Sequence, residues 1–328
     1  MSPKASYVPR RSTNPLRHLD IGFFPGGAHS RRLVFAVAVV LLALSSTGCA
    51  VIINKVGKAL IRGNSVYATD DDPDFVWEAL PFGLKTIEGL LAKTPKNKNL
   101  LLAASSGFTQ YGYGHLQQDA DFVEANDLAA ATALRTRARK MYRRALNYGL
   151  RGLEVDVPNF RVLIRKDPQA ALNKLRKTHV PLLYWTANAW GAAISISKDD
   201  SELTADQNLV EVLMRRALAL DEAWECGSIH DFFISYEGGR ISVGGSLTKA
   251  REHLERARQL SQGMRVAPLV SYAETISVST QNKKEFQSLL EEALAFDANK
   301  APETRMANLI AQRRAKWLLG RIAELFVE

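Results

Sequence analysis

The sequence contains few of the residues on which metal sites and nucleophilic active sites depend. Its 328 residues include two cysteines, Cys49 and Cys226, and six histidines. The motifs His-Glu-x-x-His and Gly-x-Ser-x-Gly, which mark many zinc hydrolases and serine hydrolases, do not occur. Cys226 and His230 have the i,i+4 spacing of one helix face, but two ligands do not complete a tetrahedral metal site. We therefore predict a non-enzymatic protein without metal or cofactor, in which Cys226 is a buried structural residue.

The chain also lacks the concentrated positive charge of a nucleic-acid-binding protein. Its formal net charge is +9, but residues 1–48 carry six Lys/Arg and one acidic residue, which leaves the rest at only +4. No stripe of basic residues with interleaved aromatic residues is visible in the sequence. We therefore expect no nucleic-acid partner.

A hydrophobic run long enough to span a membrane is missing from the N-terminal region. The apolar stretch there, residues 33–44, has 12 residues, whereas a membrane-spanning helix needs about 20. Arg31 and Arg32 precede this stretch and small residues follow it, which is the pattern of a secretory signal peptide. The arginine pair also loosely resembles a twin-arginine export signal. The sequence is therefore compatible with export by either the general secretory or the twin-arginine pathway.

Gly48 and Cys49 at the end of this stretch resemble a lipobox, in which the cysteine is acylated and becomes the new N-terminus. We therefore predict a lipoprotein of the cell envelope, held in a lipid membrane through Cys49 and facing the periplasm. Ala50 follows the cysteine, and the absence of Asp at that position favours the outer membrane. Residues 1–48 are then a disordered extension and signal peptide, residues 49–73 a tether, and residues 74–328 the folded domain.

Strand patterns are nearly absent from the folded domain, and almost every segment has helical period. Turns are marked by clusters of Pro, Gly, Asn and Asp. A weak repeat places Ala145, Ala217, Ala257 and Ala293 near the ends of successive helices, the last three at intervals of 40 and 36 residues. Because the tetratricopeptide repeat has a period of 34 residues, we predict an all-α, tetratricopeptide-like array of antiparallel helical hairpins.

A glycine-rich segment at residues 238–246 superficially resembles a phosphate-binding loop. Gly245 stands where such a loop requires lysine, and the segment joins two predicted helices instead of following a strand. Nucleotide binding is therefore rejected. Gly244, Gly245 and Ser246 stay candidates for a loop that contacts or gates a ligand, and a flexible connection is the alternative.

Two predicted helices carry small and polar residues where a buried helix should be apolar. Such groups either allow a close helix crossing or line a cavity. The candidates for a ligand channel on the first helix are Gln110, Tyr111 and Gln118. The candidates on the second helix are Tyr184, Asn188, Gly191 and Ser195.

Six ordered segments of the chain are similar to one family, the T component (TatT) associated with TRAP transporters. They are ALPFGLKT (79–86), GFTQY (107–111), LRGLE (150–154), PLLYWTA (181–187), WGAAIS (190–195) and NLIAQRRA (308–315). The resemblance implies a lipid-anchored periplasmic protein of tetratricopeptide-like hairpins. It also implies self-association into a trimer and docking of the transporter's periplasmic solute-binding (P) subunit.

Three functional hypotheses follow from the sequence. The first is an adaptor that docks the P subunit and passes a hydrophobic ligand through an apolar channel. The second is a stand-alone ligand-binding lipoprotein of the cell envelope, motivated by the polar face of the helix that carries Tyr184 and Asn188. A weaker third reading, an enzyme, depends on His230–Asp231 and His253–Glu255 as acid–base pairs.

Overall fold

A computed structural model of the protein describes residues 66–327. Within this range every regular element is a helix and none is a strand, which confirms the predicted all-α fold class. Cys49 and the signal peptide lie outside the described residues, so lipid anchoring stays a prediction. No helix between residues 66 and 327 combines the length and apolarity that crossing a membrane requires.

Six helices form the first half of the described chain. They are α1 (Pro73–Lys93), α2 (Lys98–Gln110, continued by a π-helical turn at Tyr111–Gln117 and by Gln118–Val123), α3 (Leu128–Glu154), α4 (Phe160–Lys166), α5 (Pro168–Asn173) and α6 (Val180–Ser195). Eight follow in the second half. They are α7 (Ser201–Ala205), α8 (Gln207–Leu220), α9 (Ser228–Gly238), α10 (Leu247–Ser261), α11 (Ala267–Tyr272, continued by a π-helical turn at Ala273–Ser277), α12 (Lys283–Ala295), α13 (Arg305–Leu319) and α14 (Ile322–Leu325).

Short polar residues begin most of the long helices. Asp72, Asn97 and Asp127 each accept a hydrogen bond from a backbone N–H three residues later, at distances of 2.8–3.2 Å. Ser246 and Asn282 do the same for α10 and α12. These bonds satisfy N–H groups that have no partner inside the helix, which is why local sequence predicts the helix starts well.

The first half is assembled around glycines at helix crossings. A Cβ added at Gly112 would lie 2.7 Å from the Tyr142 ring, and one at Gly152 would lie 2.6 Å from Leu182. At Gly149, α3 meets both α2 and α6, and an added Cβ would overlap Thr186 and approach Ser105 Oγ to 2.9 Å. Glycine is required at these positions because the backbone approaches neighbouring side chains more closely than any Cβ allows.

The second half consists of helix pairs linked by regularly spaced ion pairs. Each of four pairs joins residues 34 positions apart: Glu222–Arg256, Asp231–Arg265, Arg251–Glu285 and Arg258–Glu292. The alanines of the sequence repeat, Ala145, Ala217, Ala257 and Ala293, are all fully buried. Both observations support a repeat of about this length, whereas the tetratricopeptide geometry itself stays a prediction.

The last long helix packs back on the first two. Ile310 of α13 lies beside Gly114, which also contacts Trp77 of α1. Arg305 donates a hydrogen bond to the carbonyl oxygen of Thr69 at 2.9 Å, just ahead of α1. α2 packs on α6, α9 packs on α11, and α11 packs on α13, while Phe232 of α9 lies beside Gly191 of α6. We call the region between these five helices the interior.

Candidate functional site

Two tyrosines facing this interior combine accessible surface with a desolvated environment. Tyr113 keeps 48% of its surface accessible, yet burial of its hydroxyl environment raises its pKa, assisted by the nearby Glu274 carboxylate. Tyr184 is partly buried, and desolvation followed by the charge of Asp231 raises its pKa. Accessible aromatic side chains next to desolvated polar groups are candidates for ligand contact. The interior is therefore the candidate functional site.

The first polar cluster of the interior lies where α13 meets α2. Arg314, whose side chain is 11% exposed, forms an ion pair with Glu274 of α11 and donates a hydrogen bond of 2.8 Å to Asp121. Arg135 also donates to Asp121, at 2.9 Å. Tyr113 lies within electrostatic reach of Arg314, Glu274 and Asp121. These charge-assisted hydrogen bonds connect α13 to α2 and α11, and α3 to α2.

Both π-helical turns of the described chain contribute to this cluster. The turn at Tyr111–Gln117 carries Tyr113, and the turn at Ala273–Ser277 carries Glu274. Such turns interrupt the α-helical register and occur frequently at functional sites. Here they carry an aromatic hydroxyl and a carboxylate that both interact electrostatically with Arg314.

The second polar cluster lies around Tyr184, between α6, α9 and the start of α11. The Tyr184 and Trp224 rings are 4.5 Å apart between centroids. Asp231 and Arg265 form a nearly buried ion pair, with side chains 13% and 10% exposed. Asp231 Oδ1 and Arg265 Nη1 are buried and have no partner within residues 66–327. The hydrogen-bonding capacity of this buried pair is therefore incompletely satisfied within the described residues.

Glu225 belongs to this second cluster and is held there by an unusual backbone. Glu225, Cys226 and Gly227 have φ values of +42°, +55° and +85°, so three successive residues adopt left-handed conformations. The Ser228 hydroxyl donates to the carbonyl oxygen of Glu225 at 2.8 Å and stabilises this turn. Non-glycine residues seldom adopt the left-handed region. The Glu225 side chain is exposed and lies within electrostatic range of Tyr184 and Arg265.

The sequence candidates on α2 have varied environments. Gln110 is exposed and its side chain bonds to the Ser106 carbonyl oxygen. Tyr111 is 7% exposed and its ring lies beside His115. Gln118 is almost fully buried and lies next to Tyr113. Gln118 is thus adjacent to the first cluster. The role of all three residues in a ligand channel stays a prediction.

The candidates on α6 lie closer to the second cluster. Tyr184 is one of its members, and Asn188 donates to the Tyr184 carbonyl oxygen at 2.9 Å. A Cβ at Gly191 would meet Val210 at 3.4 Å and Phe232 at 3.8 Å, which leaves more room than at Gly149. Ser195 is exposed and bonds to the Ala192 carbonyl oxygen. The two groups of candidates thus adjoin different clusters.

The glycine-rich loop forms a tight turn between α9 and α10. Gly244 has a φ of +107°, and the Gly245 N–H donates to the Arg240 carbonyl oxygen at 2.7 Å. Ser246 caps α10, and its own N–H donates to the Glu237 carboxylate at 2.9 Å. Backbone geometry thus accounts for both glycines, whereas a ligand-contacting role for the loop stays a prediction.

The prediction for Cys226 was wrong. The residue is exposed and free, because the left-handed turn removes it from the helix that the i,i+4 spacing with His230 assumed. His230 instead faces His253, with 2.8 Å between the two Nδ1 atoms. Within residues 66–327 no group of three His, Cys, Asp or Glu side chains is placed to hold a metal ion.

Sequence reasoning missed most residues of the two clusters. Tyr113 could have been found from its position between Gly112 and Gly114, in a helix that already contained too many glycines. The Asp231–Arg265 pair could have been found from its 34-residue spacing. Glu225 gave no local signal, because the left-handed turn is not encoded by a recognisable motif.

An open groove of about 660 Å³ lies outside this interior, between α10 and the start of α12. It is lined mainly by polar and charged side chains, including Arg251, Glu285 and Tyr272. Arg251 already binds Glu285 and lies over the Tyr272 ring. We therefore regard the interior as the better site.

Comparison with known proteins gives the chain a family. The profile of the TRAP transporter T-component family (TAtT) matches residues 69–326, which includes every helix described above. An uncharacterized protein of Treponema pallidum (strain Nichols) is 26% identical over 268 residues, covering 80% of this chain and 83% of the relative.

Proposed function

The chain belongs to the TRAP transporter T-component family, and from this premise we propose that it is a lipid-anchored periplasmic adaptor that docks the transporter's P subunit. The family is a transport accessory and not a known enzyme family. The observation that carries the proposal is the family match over residues 69–326.

Two exposed aromatic residues on α1 support a protein contact. Phe75 and Phe82 are 62% and 80% exposed, and their i,i+7 spacing places them on one helix face. Aromatic side chains are enriched at protein interfaces because they bury large apolar areas. We assign this face to docking of the P subunit, and self-association into a trimer to another surface of the chain.

Co-purification tests the docking. Tagged protein is captured from an envelope extract, and the cognate P subunit is detected by mass spectrometry. The double variant Phe75→Ser/Phe82→Ser should lose the P subunit, whereas Val162→Ser, at a residue 64% exposed on α4, should retain it. A wild-type protein that recovers no P subunit contradicts the adaptor function. Light scattering on the same samples reports whether a trimer forms independently.

Membrane fractionation tests the anchor. Cys49→Ser should release the protein from the membrane fraction, and inhibition of lipoprotein signal peptidase should accumulate a precursor of the wild type. A Cys49→Ser variant that stays bound after a carbonate wash contradicts lipidation at this residue.

A second function, a stand-alone ligand-binding lipoprotein, is favoured by one observation. The Tyr184 and Trp224 rings pack together near the Asp231–Arg265 ion pair, in which two buried atoms have no hydrogen-bond partner among residues 66–327. Native mass spectrometry of the purified protein distinguishes the two: a retained small molecule without any P subunit in the extract supports the stand-alone role. Recovery of both supports an adaptor with ligand passage.

A further inference from the structure

The open groove between α10 and the start of α12 carries more negative than positive charge. Its charged side chains are those of Arg251, Glu252, Glu255, Arg256 and Glu285. Arg251 pairs with Glu285, and Arg256 pairs with Glu222, which does not line the groove. Glu252 and Glu255 are exposed and form no ion pair within residues 66–327. Two negative charges of the groove are therefore uncompensated.

Tyr272 gives an independent sign that this groove takes a ligand. Its side chain is only 1% exposed, and it lines the groove from the end of α11. The hydroxyl group forms no hydrogen bond within the described chain and is not among its sealed polar atoms. Burial raises the pKa of Tyr272, and the Glu285 and Glu255 carboxylates raise it further, so the hydroxyl lies among the charged groups of the groove. This otherwise buried group is free to bond to a ligand there.

The spacing and size of the groove suit a small molecule with more than one charge. Glu252 and Glu255 are three residues apart on α10, which puts their Cβ atoms about 5–6 Å from each other. Leu247, which is 41% exposed, and Ile276 contribute apolar surface to the same groove. Its volume of about 660 Å³ lies within the range of roughly 300–1,000 Å³ that small-molecule sites occupy.

We propose that this groove binds a small organic diamine or polyamine, a molecule in which alkyl chains join two or more ammonium groups. Glu252 and Glu255 accept hydrogen bonds from two ammonium groups, and the Tyr272 hydroxyl accepts a further N–H. The methylene groups between the nitrogens contact Leu247 and Ile276. The site goes beyond the adaptor function and requires neither the P subunit nor the α1 face.

Other classes of ligand fit this groove less well. An anion would face two free carboxylates, whereas both guanidinium groups of the groove are already paired. An uncharged ligand would leave the charges of Glu252 and Glu255 uncompensated. A bare metal ion needs several converging ligands, and no group of three His, Cys, Asp or Glu side chains in the described part of the chain is placed to hold one.

Calorimetric titration of the full-length protein in a non-ionic detergent tests the site. The probes are cadaverine, 1-aminopentane and 1,5-pentanediol, which share one alkyl chain and differ in the number of ammonium groups. Cadaverine should bind about threefold to fivefold more tightly than 1-aminopentane, since an exposed ion pair contributes roughly that factor. The diol should bind more weakly than both amines. Equal affinities for cadaverine and 1-aminopentane, or no heat from cadaverine at its highest soluble concentration, overturn the proposal.

A pair of matched double variants locates the binding. Glu252→Gln/Glu255→Gln keeps the shape of the groove and should weaken cadaverine about tenfold, because both ion pairs are lost. Glu291→Gln/Glu303→Gln removes the same charge at two exposed positions outside the groove and should bind as the wild type does. If both double variants weaken cadaverine equally, the attraction is a diffuse effect of net charge and the assignment to the groove is overturned.

Tyr272→Phe separates the built site from surface charge alone. It removes one hydroxyl that has no partner in the protein, so the helices should remain formed, which circular dichroism verifies. Cadaverine affinity should fall about threefold, the value of one hydrogen bond, and unchanged affinity overturns the role of this hydroxyl. P-subunit capture by the variant should equal that of wild type. Cadaverine binding without capture removes the adaptor and leaves the site, and capture without cadaverine binding does the reverse.

Discussion

The two halves of the described chain are held together by different forces. In α1–α6 the helices cross at glycines, and shape complementarity at Gly112, Gly149 and Gly152 sets their spacing. In α8–α13 the helix pairs are linked by ion pairs whose two residues are 34 positions apart. Close packing is insensitive to salt and intolerant of added volume. Ion pairs tolerate volume changes but respond to charge, salt and pH. The halves should therefore fail under different perturbations.

Added volume in the first half should have the largest effect. Gly149→Val introduces a Cβ that overlaps Thr186 and crowds Ser105, and should lower the free energy of unfolding by about 3 kcal/mol, the upper end of the overpacking range. The urea midpoint measures this. Gly89→Ala is the matched control, because a Cβ there meets nothing within 4 Å and should stabilise α1 by about 0.5–1 kcal/mol. Equal midpoints for the two variants would contradict packing at Gly149.

Removal of the Arg314 charge, which pairs α13 with α2 and α11, should have the next largest effect. Arg314→Met leaves Glu274 and Asp121 without their shared partner, and should cost about 2 kcal/mol. That value is below the 3–5 kcal/mol of a fully buried pair because the two carboxylates are 30% and 20% exposed. Arg258→Met removes an exposed pair with Glu292, and should cost no more than about 1 kcal/mol. Thermal unfolding of both variants at low and high salt checks the order.

Features that depend on neighbouring residues could be predicted from the sequence, whereas contacts between distant residues could not. The helical class of the folded domain could be predicted, because caps such as Asp127 and the apolar period are local features. The small and polar residues of α2 and α6 could also be recognised, because they stand out in helices that are otherwise apolar. The interior clusters were not predicted, because Arg314 meets Asp121 across 193 residues. Cys226 was placed wrongly, because a left-handed turn replaced the helix on which its burial depended.

Acid should destabilise the second half through its histidine pair. Burial, followed by the charge of His230, lowers the pKa of His253 to about 4, and burial lowers the pKa of His230 despite the nearby Glu222. Well above pH 6.5, the ordinary pKa of histidine, both residues are neutral in the folded and unfolded states, and the pair has no pH effect. As the pH falls from 6.5 towards 4, these two histidines bind protons in the unfolded chain but not in the folded protein. The free energy of unfolding therefore falls.

The expected loss from this pair between pH 7.5 and pH 5 is about 1–2 kcal/mol, because His253 is partly exposed and the full shift overstates it. Urea midpoints of wild type and His253→Gln, compared at both pH values, measure it. The variant should lose less stability on acidification than the wild type. An identical loss in both proteins would assign the pH dependence to other groups, such as the exposed carboxylates.

The smallest effect should come from a glycine that does not mark a tight crossing. A Cβ at Gly191 has its nearest neighbour at 3.4 Å, Val210, whereas at Gly152 the Leu182 side chain would lie 2.6 Å away. Gly191→Ala should therefore change stability by less than about 1 kcal/mol, with helix propensity offsetting slight crowding. Gly152→Ala should be destabilising, since Leu182 must move within a packed core. If Gly191→Ala proves as costly as Gly152→Ala, α6 is packed on this face as tightly as α3 is. The interior would then have no room beside Gly191, and any ligand would have to bind next to Tyr184 alone.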